Sequence, residues 1–523
     1  MGRLCIKKLF SNEIKSKRLR QIVLNLCKQQ NKTATKIYFA FRGRHVKSEN
    51  LKEEGLSLSD HIQQANNGKE FNRIPLIIVL ISGAFVAILN QTLLGTALPE
   101  IMEDLKLDEN TVQWLQSVFM LVNGIMIPVT AFLIGRFTTR GLFLTAMSLF
   151  TAGTLSAALA PGFEVLLIGR NLQAAGAGIM MPLMQTILML IFPIEKRGTA
   201  MGMFGLVIAF APAIGPSLSG YIVEVCSWRI LLWLISPIAI IDIILAYFIL
   251  KNVTEKTNPK LDNLSIILST FGFGGILYGF SIAGSAGWGS AEVLISFAVG
   301  LVTVTWFIMR QFKLEEPILE FRVLKYKMFA ISTAIGMVTF VAMIGAAIVL
   351  PLFMQNMLGF SPFYSGLALL AGAVVQGLLN PITGRLFDRF GARWLVIPGL
   401  FLLTVGTLML TTLSIETSFT YIAVVHAIRM VGVSMAMMPV TTAGLNVLPL
   451  HLISHGTALN NTLRQVSGSI GTALPITIMT TAAIPEEGLE GMIHGVNVSF
   501  IFTAIIAVIG LRLSFLLKDR EKL

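Results

Sequence analysis

Four ionisable residues stand inside stretches that are otherwise apolar: Arg170 in LLIGRNLQAAGAGIMMP, Asp242 in PIAIIDIILAY, and His426 with Arg429 in YIAVVHAIRM. In a bilayer such groups are costly, about 2.5–3.5 kcal/mol for an arginine at a helix centre, so each must face a protein interior and find partners. Asp242 has no cation near it in sequence and is a candidate for taking up and releasing a proton. His426 and Arg429, three apart, share one helical face. Amides recur around these charges: Asn90, Gln91 and Gln173 at comparable depth to Arg170, and Gln116, Asn123, Gln355, Asn356, Gln376, Asn380, Asn460 and Asn461 in other apolar stretches. An arginine among amides can orient a ligand or shift charge. It is not a catalytic set. The six histidines are dispersed, and no G-x-S-x-G nucleophile turn or Walker-type phosphate loop occurs. Cys5, Cys27 and Cys226 follow no disulfide or metal spacing. The expectation is a protein without catalytic residues, metal or cofactor.

The elements that must position these groups are membrane helices. Of the 523 residues 54% are hydrophobic and only 13% charged, about half the charge of a soluble protein, with mean hydropathy +0.75. Apolar runs near the twenty residues that cross a bilayer recur from Ile74 onward. Fourteen spans are expected, with cores at 74–98, 112–134, 142–160, 163–191, 199–222, 230–250, 264–285, 291–310, 328–352, 363–384, 394–413, 419–440, 457–481 and 496–517. Residues 1–73 differ: they are polar and basic, with no apolar core of signal-peptide length, and read as a cytoplasmic tail without a fold of its own, beside anionic lipid.

Loop charge tests the count. One set of loops carries Arg136/Arg140, Lys196/Arg197, Lys251/Lys256/Lys260, Arg310/Lys313/Arg322/Lys325/Lys327 and Arg385/Arg389/Arg393, with Lys518/Arg520/Lys522 at the C-terminus. The other set carries Glu100/Glu103/Asp104/Asp108/Glu109, Glu164, Glu224, Glu292, Glu416 and Glu486/Glu487/Glu490, and only Lys106 and Arg229 are basic there. Because positive loops stay in the cytoplasm, both termini are expected inside. The net charge of +12 is therefore a topology signal rather than a nucleic-acid footprint.

An internal echo runs through the spans. GRFTTRG (Gly135–Gly141) follows the second and GRLFDRFGAR (Gly384–Arg393) the tenth. Arg170 and Arg429 fall at corresponding places in the fourth and twelfth, and both helices reach Met-Met-Pro, at Met180–Pro182 and Met437–Pro439. Two parallel six-helix halves follow: 74–250 and 328–517, with 251–327 supplying two extra spans and a linker, and 518–523 a cytoplasmic end. Such repeats place a ligand site between the halves at the midplane.

These segments resemble the major facilitator superfamily, specifically its fourteen-span drug:proton antiporter branch, over nearly the whole chain from Ile74. GRLFDRFGAR resembles the family's inner-turn motif, and GRFTTRG a copy with Thr139 where an acid is usual. RNLQAAGAG resembles the arginine motif of the fourth helix at Arg170, Gln173, Gly176 and Gly178. GMFGLVIAFAPAIGPSLSG resembles the antiporter motif of the fifth at Gly202, Gly215, Pro216 and Gly220, with Ala211 and Ser219 replacing glycines. LNQTLLGTALP resembles the first-helix motif with Asn90 in place of an acid, and HGTALNNTLRQVSGSIGTA the thirteenth span.

The resemblance implies an all-α membrane fold, two bundles of six helices plus two extra central helices, and export of drugs or other amphipathic molecules driven by the proton gradient. Arg170, Asn90, Gln91, Gln173 and Asp242 would form the proton-coupling centre; Arg170 remains open to a purely structural role and Asp242 to a helix–helix hydrogen bond. Gly202, Gly215, Pro216 and Gly220 would make a hinge or tight seam. Gly135, Arg136, Arg140, Gly384, Asp388, Arg389 and Arg393 would latch the cytoplasmic face. Gln116, Asn123, Gln355, Gln376, Asn380, His426, Arg429, Asn460 and Asn461 are candidates for the substrate cavity. The expected partners are small amphipathic substrates, protons and lipid, with no nucleic acid, in a monomer of a bacterial plasma membrane. A transporter dedicated to one metabolite, or a non-transporting membrane sensor, are the alternatives.

Overall fold

The computed structural model describes residues 73–518 except 255, 256 and 258; the basic tail and the final residues lie outside them. The described residues form fourteen long helices: α1 Arg73–Thr96, α2 Glu109–Arg136, α3 Thr139–Ala158, α4 Phe163–Ile191, α5 Arg197–Val225, α6 Arg229–Ile249, α7 Asn263–Ala286, α8 Ala291–Lys313, α9 Lys327–Asn356, α10 Pro362–Phe390, α11 Arg393–Met409, α12 Phe419–Asn446, α13 Ile453–Thr481 and α14 Gly488–Ser514. In hydrocarbon every backbone polar group must be satisfied within the segment, which is why the apolar runs resolve as helices. Short polar residues start several of them: Asp108 accepts from the Thr111 amide, Thr138 from Gly141, Ser290 from Val293, Ser361 from Tyr364 and Ser418 from Tyr421. Gly391, at φ +87°, ends α10 in a conformation that a side chain disfavours and turns the chain into α11.

All fourteen expected spans correspond to helices, with shifted ends. The first breaks after Thr96 and resumes as a short helix, Leu98–Asp104. The last begins at Gly488, and α13 at Ile453, each several residues early. Thirteen described helices are long and apolar enough to cross a membrane. The exception is α13, whose run of Asn460, Asn461, Arg464 and Gln465 lowers its hydropathy. It is packed among α2, α4, α7, α9 and α14, so its polar face meets protein instead of lipid.

Within α1–α6 the most extensively packed pairs are α1–α4, α1–α5, α1–α6, α2–α4, α3–α4 and α3–α6. Adding eight to each label gives α9–α12, α9–α13, α9–α14, α10–α12, α11–α12 and α11–α14, and every one of these is also packed. The contacts between the two sets obey the same exchange: α5 meets α10 and α12, and α13 meets α2 and α4. α7 and α8 stand outside this pattern as a hairpin. Gly275 meets the Ser296 carbonyl and Gly300, bringing the two backbones together, and Arg310 clasps Asp262 with two hydrogen bonds of 2.7 and 3.0 Å. α7 packs on both α2 and α13, whereas α8 turns Ile295, Leu301, Val302 and Trp306 outward as a lipid-facing surface.

Arg229, an exception to the loop-charge rule, is accounted for by pairing. It binds Asp104 at 2.5 Å and the Ala160 carbonyl at 3.1 Å, while Trp228 donates to the same carboxylate. One cation thus ties three loops of the acidic end together, and the hydrogen bond from Arg229 holds the Asp104 carboxyl below its ordinary 3.8.

Candidate functional site

Arg170 is fully buried in α4. Its Nε donates to the Leu115 carbonyl of α2 at 3.2 Å and its Nη1 to Gln173 Oε1 at 2.9 Å, while Gln173 donates to Thr154 of α3 at 3.0 Å. The guanidinium lies 4.3 Å from the centre of the Phe119 ring. Two hydrogen bonds from a charged donor, about 1.5–3 kcal/mol each, and a desolvated cation–π contact of about 2 kcal/mol offset the insertion cost without an acid. The acceptors expected in the first helix are not used. Asn90 is fully buried, but neither of its side-chain polar atoms has a hydrogen-bond partner, and Arg170 Nη2 is likewise orphaned. The residue one turn along α4 and the Leu115 carbonyl of α2 take its place. Gln91 is half-buried.

The second half repeats this centre with one change. Arg429 Nε donates to Thr407 of α11 at 2.9 Å and Nη2 to the Ala342 carbonyl of α9 at 2.8 Å, again with one orphan nitrogen. Thr154 and Thr407 each follow a glycine, Gly153 and Gly406, and stand fourteen residues after Arg140 and Arg393. The echo therefore includes the arginine's partner helix, a match that the turn motifs alone did not reveal. His426 does not join Arg429 in lining an opening: it is buried against Gly372 of α10, its Nδ1 without a partner.

Asp242 is buried in α6 and accepts a hydrogen bond from Ser82 of α1, leaving Oδ2 without a partner. Gly83 provides the space: a Cβ there would meet Asp242 Oδ2 at 2.8 Å and Met180 at 2.6 Å. Met180, which packs at Gly83 beside Asp242, is ten residues from Arg170 on α4, about 15 Å along the axis. The carboxylate and the arginine thus form two separate polar centres inside one bundle, where a single centre was expected.

At the basic end the bundles are joined. Asp388, near the end of α10, accepts from the Gly198 amide at 2.7 Å, the Thr199 amide at 2.8 Å and the Thr199 hydroxyl at 2.6 Å. A carboxylate from one bundle caps the first turn of α5 in the other, where free amides and the helix dipole favour negative charge. Glycines permit the approach. A Cβ on Gly198 would strike the Gly384 carbonyl at 2.6 Å, and one on Gly202 the Asn380 carbonyl at 2.5 Å. Arg197 adds a bond of 3.1 Å to Asn446 of α12. Of the arginines in the same turn, Arg389 is exposed over the Phe390 ring, and Arg393 is exposed at the start of α11. The α5 motif also divides in two. Gly202 belongs to the seam with α10, Gly215 to a contact with Thr92 of α1, Pro216 is exposed, and Gly220 has open space around it. No single hinge contains all four.

The turn in the first half has a different partner. Thr139, where an acid was expected, accepts from the Val253 and Thr254 amides, both at 3.1 Å, and the Gly135 carbonyl accepts from the Thr257 amide at 3.0 Å. The Arg140 amide donates to Asn252 at 3.2 Å and its guanidinium covers Tyr247, while Arg136 is exposed. Gly135, Thr139 and Arg140 thus hold the linker after α6, where Asp388 reaches across to the other bundle.

Across the bundle interface, Asn461 of α13 donates to Gln185 of α4 at 2.6 Å and accepts from Arg464 at 2.6 Å, and Thr186 donates to Thr457 at 3.3 Å. Arg464 is only partly covered and lies 5.6 Å from the centre of the Phe340 ring of α9. Asn460 is buried beside Asn461, and Gln376 and Asn380 are buried on α10, with Asn380 against Gly205. Gln116 Oε1 and Asn123 Oδ1 are buried without partners. Gln355 and Asn356 end α9 at the acidic end, away from the midplane. At that end Tyr221 of α5 is 68% and Phe363 of α10 74% exposed.

Sequence reasoning missed Ser82, Thr154, Gln185, Thr407 and Arg464. Arg464 was legible as an arginine inside the thirteenth span; the others are polar residues of ordinary helix type, and only packing shows their partners. It also passed over His451 and His455, four apart in HLISH. His451 lies on a turn of 3-10 helix, His455 accepts from the Glu320 amide at 3.3 Å, and no group of three metal-ligating side chains occurs among the described residues.

Two bundles of one packing pattern, joined at the basic end and enclosing buried arginines and amides, define a multi-pass membrane transporter. Residues 80–472 match the family model for the Major Facilitator Superfamily, and the chain belongs to that superfamily. It is 55% identical over 457 residues to the uncharacterized MFS-type transporter YcnB of Bacillus subtilis, covering 87% of this chain and 97% of that protein. It is 44% identical over 469 residues to the lincomycin resistance protein LmrB of Listeria monocytogenes, covering 88% and 100%. Among solved structures the human organic anion transporter MFSD10 has the same fold, with a TM-score of 0.63 at 11% identity over 85% of this chain and 99% of that one.

Proposed function

We propose that this transporter exports amphipathic drug-like molecules across the cytoplasmic membrane in exchange for protons, by alternating access. The observation that carries the reading is the Asp388 cap on α5. It closes the basic, cytoplasmic end through three hydrogen bonds that can break and re-form, while Tyr221 and Phe363 of the same two helices are exposed at the acidic end. A substrate released outward would leave through the acidic end. The Gln185–Asn461–Arg464 chain lies between the bundles, and a bound molecule competing for these groups would loosen the closed end. Asp242, with one oxygen bonded to Ser82 and the other orphaned, is the proton-carrying group; the orphaned atoms of Asn90 and Arg170 mark the polar interior that its charge state influences. Similarity to a lincomycin resistance protein supports a lincosamide or related amphipathic compound as substrate. The test uses proteoliposomes holding the purified chain, with an imposed pH gradient and radiolabelled lincomycin. Accumulation on the gradient, lost with a protonophore, supports the reading; uptake indifferent to the gradient contradicts proton exchange.

A further inference from the structure

The α7–α8 hairpin leaves a cleft open at the acidic end, between α7, α2 and α13. We propose that this cleft is a second binding site, apart from the bundle centre, that takes amphipathic organic cations. It has a narrow inner part of about 90 Å³ and an adjoining wider part of about 420 Å³, the latter within the range of small-molecule sites. Trp114 of α2 and Tyr278 of α7 stack with ring centres 5.8 Å apart. Ser117 and Ser281 hydrogen-bond across the same two helices at 3.2 Å, and Thr472 brings α13 into the wall. Among the described residues the wall holds no lysine or arginine, and its one charged side chain is the exposed Glu292 at the start of α8.

The chemistry selects the ligand. Aromatic faces attract a poorly hydrated cation, the apolar inner part accepts its hydrocarbon, and the carboxylate at the mouth supplies opposite charge. Helix start α8 is already capped by Ser290, which accepts from the Val293 amide, so Glu292 is not needed for that purpose. The cleft is also distinct from the arginine centre. Leu115 and Phe119, four apart on α2, face α4 and Arg170, whereas Trp114 and Ser117 face α7. Occupancy of one therefore does not require the other.

The experiment measures binding of tetraphenylphosphonium to the full chain in phosphatidylglycerol nanodiscs by equilibrium dialysis, without any gradient. Glu292→Gln and Trp114→Ala should each weaken binding about tenfold, a loss of one desolvated contact, at unchanged melting temperature, and Glu416→Gln, an exposed carboxylate of another loop at the same end, should leave it unchanged. Where Trp114→Ala melts early, Trp114→Phe replaces it and should lose less. Wild-type affinity in both cleft variants overturns the proposal. So does loss of binding with Asn461→Ala alone, which would place the probe at the centre. Displacement of the probe by phosphatidylcholine in the disc would identify the cleft as a lipid headgroup site, and equally overturns it. Because transport is not measured, failure of the exporter reading leaves this result interpretable.

Discussion

Arg170 and Arg429 show what a membrane interior demands of a charge that has no counter-ion. Each uses a backbone carbonyl of one neighbouring helix and a polar side chain in reach of a threonine or its hydroxyl, and each keeps one nitrogen unbonded. Thr407→Val should therefore cost about 1.5–3 kcal/mol, the value of a hydrogen bond to a charged group, read as a lower melting temperature in detergent. Thr154→Val should cost less, because Gln173 stands between that hydroxyl and the arginine. The position of the charged residues was legible in the sequence, since an ionisable residue in an apolar run must turn inward. Their partners were not: Gln173 and Asn90 are equally plausible acceptors until the helix rotation is known. Asp242 is the sharper case. Asp242→Asn keeps the Ser82 hydrogen bond but removes the proton, so gradient-driven lincomycin uptake should fall to background while binding of the drug persists; full uptake by this variant would remove Asp242 from the mechanism.

Elements meet where glycine allows backbones to approach, and the α5–α10 seam is the functional instance. Gly202→Leu would drive a side chain into the Asn380 carbonyl, so it should abolish transport by preventing closure of the basic end. Gly220→Leu should transport as the wild type does, since nothing lies near that position. Motif resemblance assigns both glycines one role; their surroundings separate them. Asp388→Ala removes three hydrogen bonds from the first turn of α5 and should shift the gate at least about tenfold toward opening at the basic end, measured as faster maleimide labelling of a cysteine placed at Thr199. At the acidic end the loop clamp is pH-dependent. Arg229 holds the Asp104 carboxyl below its ordinary 3.8, so its contribution is full above that value and fades as pH falls through the depressed one. Asp104→Asn should melt about 1–2 °C below the wild type at pH 7, a partly exposed pair being worth little, and the difference should close in acid. The ends of helices were less legible than their existence: Ala97 breaks the first span and Gly488 starts the last because caps and turns, more than apolarity, decide where a helix stops.

For the molecule as a whole, loop charge and the paired turns were enough to read fourteen helices and a repeat, because both signals are periodic along the chain. What the sequence could not convey is that the two copies of the turn do different work. Asp388 crosses to the other bundle, whereas Thr139 holds the linker, and that difference depends on where Val253 and Thr254 run. Conversely, the polarity of α13 hides it from an apolarity criterion while its position among five helices explains why it can be polar. The central claim is that the bundles open at one end as they close at the other. Double electron–electron resonance on two labelled pairs tests it: Lys196 with Arg389 at the basic end, and Tyr221 with Phe363 at the acidic end. On moving from acidic to alkaline pH with lincomycin present, one distance should lengthen as the other shortens; two distances that stay fixed, or change in the same sense, would contradict the account.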